Sequence, residues 1–320
     1  MMKKYIVVLL FAIAFAVSSV ETAMLKYAPD TAAGMAEINV SALLKHPSVL
    51  QTMNDPKIAS TRQEWEKKSG VRLTDWKKVV FFIGADGNVY SCLCVDANLG
   101  LEKVLTQNGI KFKKLDVSGK TVYQLPEAGP QKQAAELAEI APGIILVGEK
   151  GRLAGYFAQK CGNAGALAEV VKKAPDYPVW LAFVNRFTNS SGQTDDPKEL
   201  LATFRFVGKE QKDLEFKFVL YCNTPEGVQM LKSAIPMYAM MGLGLVFNGD
   251  PELGSRIVSC IKQQISGTVL TVSILLKKEL AEQIGEYLAQ NSDRLSRKFG
   301  GKKSRKQKSR RTVPAVSVGQ

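Results

Sequence analysis

One histidine, His46, is all the imidazole that this 320-residue chain contains. A zinc centre built from several histidines is therefore excluded, and a Ser-His-Asp or Cys-His nucleophile system would have to use this one side chain. It sits in Leu44-Lys45-His46-Pro47, beside a proline at a helix break, where a surface or half-buried structural ring is the ordinary reading. Phosphate and cation motifs are missing as well. Gly242 and Gly244 lack the third glycine and the preceding strand of a dinucleotide fingerprint. Gly301-Lys302-Lys303-Ser304 has no upstream glycine for a phosphate loop, and no acidic residues have calcium-loop spacing. No cofactor and no metal is expected.

Cysteine is sparse and odd in number: five, at 92, 94, 161, 222 and 260, so at least one is unpaired and the sequence defines no pairing. Cys92 and Cys94 share one face of a predicted strand at roughly 6.5 Å along it, too far for an unstrained bridge. They read as small buried hydrophobes. The carboxylate pairs Glu64 with Glu66 and Asp195 with Asp196 read as a charged helix face and a cap before Pro197.

One of the long uncharged runs opens the chain. Lys3 and Lys4 precede an uncharged stretch from Tyr5 to Val17, followed by Ser18 and Ser19, the layout of a secretory signal peptide over residues 1 to 19. As a helix the run would reach roughly 20 Å, against about 30 Å of hydrocarbon, which favours cleavage near Ser18 or Ser19 over an uncleaved tether. No cysteine follows it, so a lipid-modified N-terminus is not expected.

The formal charge of +13 is local. Residues 294 to 311 hold ten basic side chains and no acidic one; taking these and Lys3, Lys4 and Glu21 from the total leaves +2 for residues 24 to 293. The body is nearly neutral, and any electrostatic partner belongs to the tail.

Periodicity predicts an α+β fold with mostly antiparallel sheets, helices on one face, and two related halves reading strand, hairpin, helix, strand, helix. The first half spans 24 to 161, with a short Ala-rich helix expected after Pro130 and a helix from Gly151 to Cys161. The second spans 179 to 293, and 162 to 178 is the expected junction. Gly100 to Leu105 corresponds to Gly227 to Leu231, each following a hairpin. Whether the halves share one sheet or form two domains stays open. Tyr27-Ala28-Pro29-Asp30, Ala36-Glu37-Ile38-Asn39-Val40-Ser41 and Leu43-Leu44 resemble the opening of uncharacterised exported bacterial proteins of unknown function. The resemblance implies export and no activity.

Three features remain as candidate sites. Ser259 and Lys262 have the spacing of the serine and lysine three apart on a helix in penicillin-binding proteins, with Tyr221-Cys222-Asn223 and Lys68-Ser69-Gly70 as imitations of the other elements in reversed order. They define the alternative of a serine hydrolase or transferase; the plainer reading of Ser259 is a polar position on a helix carrying Ile257, Val258 and Ile261. Ile235 to Phe247 is uncharged and rich in Met and Gly. It reads first as a core helix interrupted by Pro236, then as an adaptable partner or ligand surface through Met237, Met240 and Met241, and third as a membrane-dipping segment.

The tail contributes Arg297, Lys298, Lys302, Lys303, Arg305, Lys306, Lys308, Arg310 and Arg311. It is expected to be disordered, and either aids solubility or is drawn to an anionic envelope surface or glycan. Export makes nucleic acid a less available partner. The leading expectation is an exported, non-enzymatic binding or envelope-associated protein; a structural partner in an envelope assembly, and so a protein partner, is a further alternative.

Overall fold

In a computed structural model that describes residues 22–69, 72–84, 87–95, 100–127, 134–174, 177–185, 197–208, 212–291 and 294, alternating patterns become strands throughout. After a 3-10 helix over Thr22–Tyr27 come strand β1 (Ala32–Ile38) and helices α1 (Val40–Leu43), α2 (Pro47–Met53) and α3 (Pro56–Ser69). Then come β2 (Trp76–Gly84), β3 (Val89–Val95), α4 (Leu101–Gln107), β4 (Lys113–Val117), β5 (Lys120–Gln124), β6 (Ala135–Ala141), β7 (Ile144–Glu149), α5 (Arg152–Phe157) and α6 (Ala166–Lys172). After β8 (Val179–Val184), β9 (Glu199–Val207) and β10 (Asp213–Tyr221) follow α7 (Pro225–Val246), α8 (Pro251–Ser259), β11 (Ile261–Ser266), β12 (Val269–Leu276) and α9 (Lys278–Gln290).

All twelve strands join one antiparallel sheet in the order β11-β12-β10-β9-β8-β1-β2-β3-β7-β6-β5-β4. The two halves trace the same path through it, β1-β2-β3-β7-β6 matching β8-β9-β10-β12-β11, with the β4-β5 hairpin extending the first half alone. They meet where β1 lies antiparallel to β8, from Gly34 opposite Phe183 to Ile38 opposite Val179. The open question of one sheet or two is thereby answered as one sheet. Gly34 faces Phe183 and Ile83 on its two neighbours, where a Cβ would stand 3.1 to 3.2 Å from their side chains.

Strand alternation assigns the two faces. Val80, Phe82, Cys92, Leu146, Trp180 and Leu201 form the largest core with Leu153 and Tyr156 of α5 and Leu167, Val170 and Val171 of α6. Val79 pairs with the opposite layer through Val40, Leu43, Val49 and Met53 of α1 and α2, and the same layer continues under α7, α8 and α9. The helices therefore do not keep to one face, as the sequence led one to expect, because α5 and α6 cover the other. Residues 162 to 178 carry α6, whose buried Leu167, Val170 and Val171 make that stretch part of the core.

Three local expectations also change. The Ala-rich segment after Pro130 is strand β6, because its side chains satisfy both periods and the Pro142-Gly143 turn, with Gly143 at φ 72°, pairs it with β7. The helix expected from Gly151 to Cys161 ends at Phe157. Ile261, whose spacing from Ile257 and Val258 predicts a place on the preceding helix, instead opens strand β11.

Beside the seam, Glu37 of β1 is 1% exposed and pairs with Lys78 of β2 at 3.1 Å. Removing one partner of a buried pair takes away the attraction that offsets the desolvation of the other charge. Lys78→Ala should cost about 3–5 kcal/mol in urea unfolding, while Glu37→Leu with Lys78→Met should unfold close to the wild type.

Candidate functional site

The feature that the packing leaves outward is helix α7. Thr224 caps it, its Oγ1 accepting the Gly227 N–H at 3.1 Å, and Pro225 occupies the first turn, where its missing N–H costs nothing. The N-terminal turns sit on the sheet through Val228, Leu231 and Ile235, against Cys222, Leu270 and Val272. The C-terminal turn and its cap are seated by Leu243, Val246 and Phe247 against Leu253, Ile257, Leu280 and Tyr287. With both ends held, the helix runs unbroken through Pro236 for 22 residues. The expected core helix interrupted at Pro236 is thus replaced by a continuous surface helix.

An ordinary surface helix turns charge toward water. Here Met230, Met237, Tyr238, Met240, Met241 and Leu245 are each 51% to 64% exposed. Among the described residues only Leu50 and Val89 are other large hydrophobics so exposed, so the apolar surface is concentrated on this one helix. Glu226 and Lys232 are its only charges, and both lie in the first half. At about 100° per residue, Met230, Met237, Tyr238, Met241 and Leu245 fall on one stripe, with Met240 on its flank. Covering six such half-exposed side chains would contribute roughly 1 kcal/mol each. Met237, Met240 and Met241 are therefore brought together on the exposed face; Tyr238 and Leu245 belong to it too, and the uncharged run from 235 to 247 was the signal that could have found them.

The tail starts at the far end of this helix. The guanidinium of Arg294 donates to the Val246 carbonyl at 3.3 Å, to Asn248 Oδ1 and to the Tyr287 hydroxyl, and lies 5.7 Å from the Tyr287 ring centre. A cation on the last carbonyls of a helix is favoured by the helix dipole. Gly249 leaves the necessary room, since a Cβ there would meet Arg294 and the Tyr287 hydroxyl at 3.2 Å. Tyr287 belongs to α9, and Asp213 of β10 holds the start of α9 by accepting the Lys278 N–H at 3.1 Å and the Lys277 ammonium at 2.6 Å. Arg297, Lys298, Lys302, Lys303, Arg305, Lys306, Lys308, Arg310 and Arg311 lie outside the described residues, as does the expected signal segment.

Ser259 and Lys262 are not assembled. Helix α8 ends at Ser259, whose exposed hydroxyl donates to the Arg256 carbonyl at 2.7 Å. Ile261 and Ile265 of β11 pack beneath α7, so strand alternation turns Lys262 to the opposite face of the sheet. The helical spacing that motivated the pair does not exist. His46 is buried rather than half-buried; its Nδ1 accepts the Ser48 N–H at 3.3 Å and its ring stacks on Phe206 at 3.7 Å, so it caps α2. No disulfide joins any of the five cysteines, all of them among the described residues, and burial pushes the Cys92 thiol far above its ordinary range, which favours its protonated form. Among the described residues no group of three or more His, Cys, Asp or Glu is placed to hold a metal ion. A cleft of about 690 Å³ opens between α2, α3 and α9, lined by Val49, Ile58, Phe206, Phe216 and Ile284; Lys212 and Lys278 line it together with Asp55 and Glu282, so it favours neither sign of charge. No helix among the described residues is long and apolar enough to cross a membrane.

No protein-family model and no curated protein matches the sequence. Among solved structures, crystal form I of TP0453 is similar to this chain at 10% identity, with a TM-score of 0.40, covering 83% of this chain and 96% of that one.

The Lys277 ammonium, hydrogen-bonded to Asp213, holds that carboxyl below its usual range. A carboxyl depressed in the folded state stabilises it above the unfolded pKa of about 3.9 and loses that contribution as pH falls through the folded value. Asp213→Asn should therefore lower the urea midpoint at neutral pH, and the gap to the wild type should close in acid. A gap of the same size at low pH would remove this role.

Proposed function

We propose that this chain is an exported, non-enzymatic protein that works by binding at an anionic envelope surface. The observation that carries the reading is the exposed, uncharged face of α7, with Met237 and Met241 on its apolar stripe and Met240 on the flank. Soluble chains seldom leave so contiguous an apolar stripe in water unless something covers it in use. Methionine suits such a surface, because its flexible, polarisable side chain adapts to an irregular partner. The ten cations of residues 294 to 311 supply a second contact of another kind: near an anionic membrane each contributes about 1 kcal/mol, and added salt weakens it. Export, read from residues 1 to 19, makes lipid headgroups and acidic glycans the available anions.

Deleting residues 295 to 320, which leaves Arg294 in place, tests the electrostatic part. Salt release from an isolated envelope fraction should be steep for the full chain and nearly flat for the truncated one. An unchanged release curve would sink the role given to the tail.

A further inference from the structure

We infer that the partner of α7 is the interface of an anionic lipid bilayer, in which the helix lies in plane while the tail, held at the same end, neutralises headgroups. This rests on the envelope-surface reading above and names the surface.

The uncharged part of α7, Ser233 to Val246, is 14 residues, or roughly 21 Å of helix against about 30 Å of hydrocarbon. It is too short to span, and it is held along the sheet at both ends, so only one side can enter lipid. That side carries Met237, Tyr238, Met241 and Leu245 and no charge, and depth in the headgroup region suits an amphipathic tyrosine. Arg294 decides between occupants. By gripping the Val246 carbonyl and Asn248, it fixes the origin of the cationic tail at the C-terminal end of the apolar stripe. An anionic bilayer satisfies both features at once, offering acyl chains to the stripe and phosphates to the tail. A second copy of this chain would bring two tails, each with ten cations, onto one interface, where they repel. One weak anchor gives reversible binding and two give stable association, so stripe and tail are expected to reinforce each other.

The test uses the full chain with phosphatidylcholine vesicles, with and without about a quarter phosphatidylglycerol. Glutamine matches methionine in length and helix propensity, so Met237→Gln/Met240→Gln/Met241→Gln keeps the helix and removes the apolar gain, confirmed by unchanged circular dichroism. Each change should weaken partition about fivefold, or about a hundredfold together, on both vesicle types, leaving the salt slope on anionic vesicles intact. Arg294→Gln should weaken binding to anionic vesicles and leave neutral ones unaffected. A Tyr238→Trp variant should be quenched by lipids brominated along the acyl chain. Equal binding by the triple variant and the wild type, or an unquenched Trp in vesicle-bound protein, would overturn insertion of α7 while leaving the tail's contact with anions standing. A wild type that sediments as a dimer, with a monomeric triple variant, would overturn the lipid assignment in favour of self-association.

Discussion

The pairing of β1 with β8 is the constraint on which the rest of the structure depends. It turns two five-strand paths into one sheet, and it is made by residues far apart in the chain: Met35 opposite Ala182, Glu37 opposite Trp180. The seam tolerates little. Gly34 has bulky neighbours on both sides, and the Glu37–Lys78 pair must stay matched because a lone charge at that depth is strongly destabilising. Helix α6 lies across the seam on one face, with Val170 and Val171 fully buried, so the stretch between the halves is a clamp. The sheet's edges are blunted in the usual manner: β4 carries Lys113, Lys114 and Asp116, and β11 carries Lys262.

A platform of this kind explains how an apolar helix can be held in water without collapsing inward. The layer beneath α7 is already filled by Phe218, Leu220, Leu270 and Val272 toward its N-terminus and by Phe204, Phe216 and Leu276 toward its C-terminus. Asp213 fixes α9, Tyr287 of α9 meets Phe247 at 5.0 Å between ring centres, and Arg294 closes the turn. The outward stripe is thus the remainder after both ends have been anchored, and its position relative to Arg294 is set by side chains.

Much of the fold was legible because local chemistry decides it. Phe204-Arg205-Phe206 against Phe216-Lys217-Phe218 could only be a half-wet hairpin, and Thr224-Pro225 and Asp250-Pro251 start helices by capping. What could not be read depends on distant partners. An alanine-rich stretch suits helix or strand until Leu146 is found opposite Ala138. Ile261 continues the helical pattern of Ile257 until Ile274 pairs with it. The Met-rich run is the instructive case: apolar residues announce contact with something apolar, and sequence alone does not say whether that is the chain's own core. Ser259 and Lys262 show the reverse error, a spacing with meaning only on a helix that ends between them.

Hydrogen exchange on the full chain, with and without phosphatidylglycerol-containing vesicles, tests the role of α7 most directly, because it reports on every segment at once. Amides of residues 233 to 247 should gain protection on vesicle binding, with β1, β8 and α6 unchanged. Protection confined to the tail, or gained along the open cleft between α2 and α9 with none in α7, would contradict it.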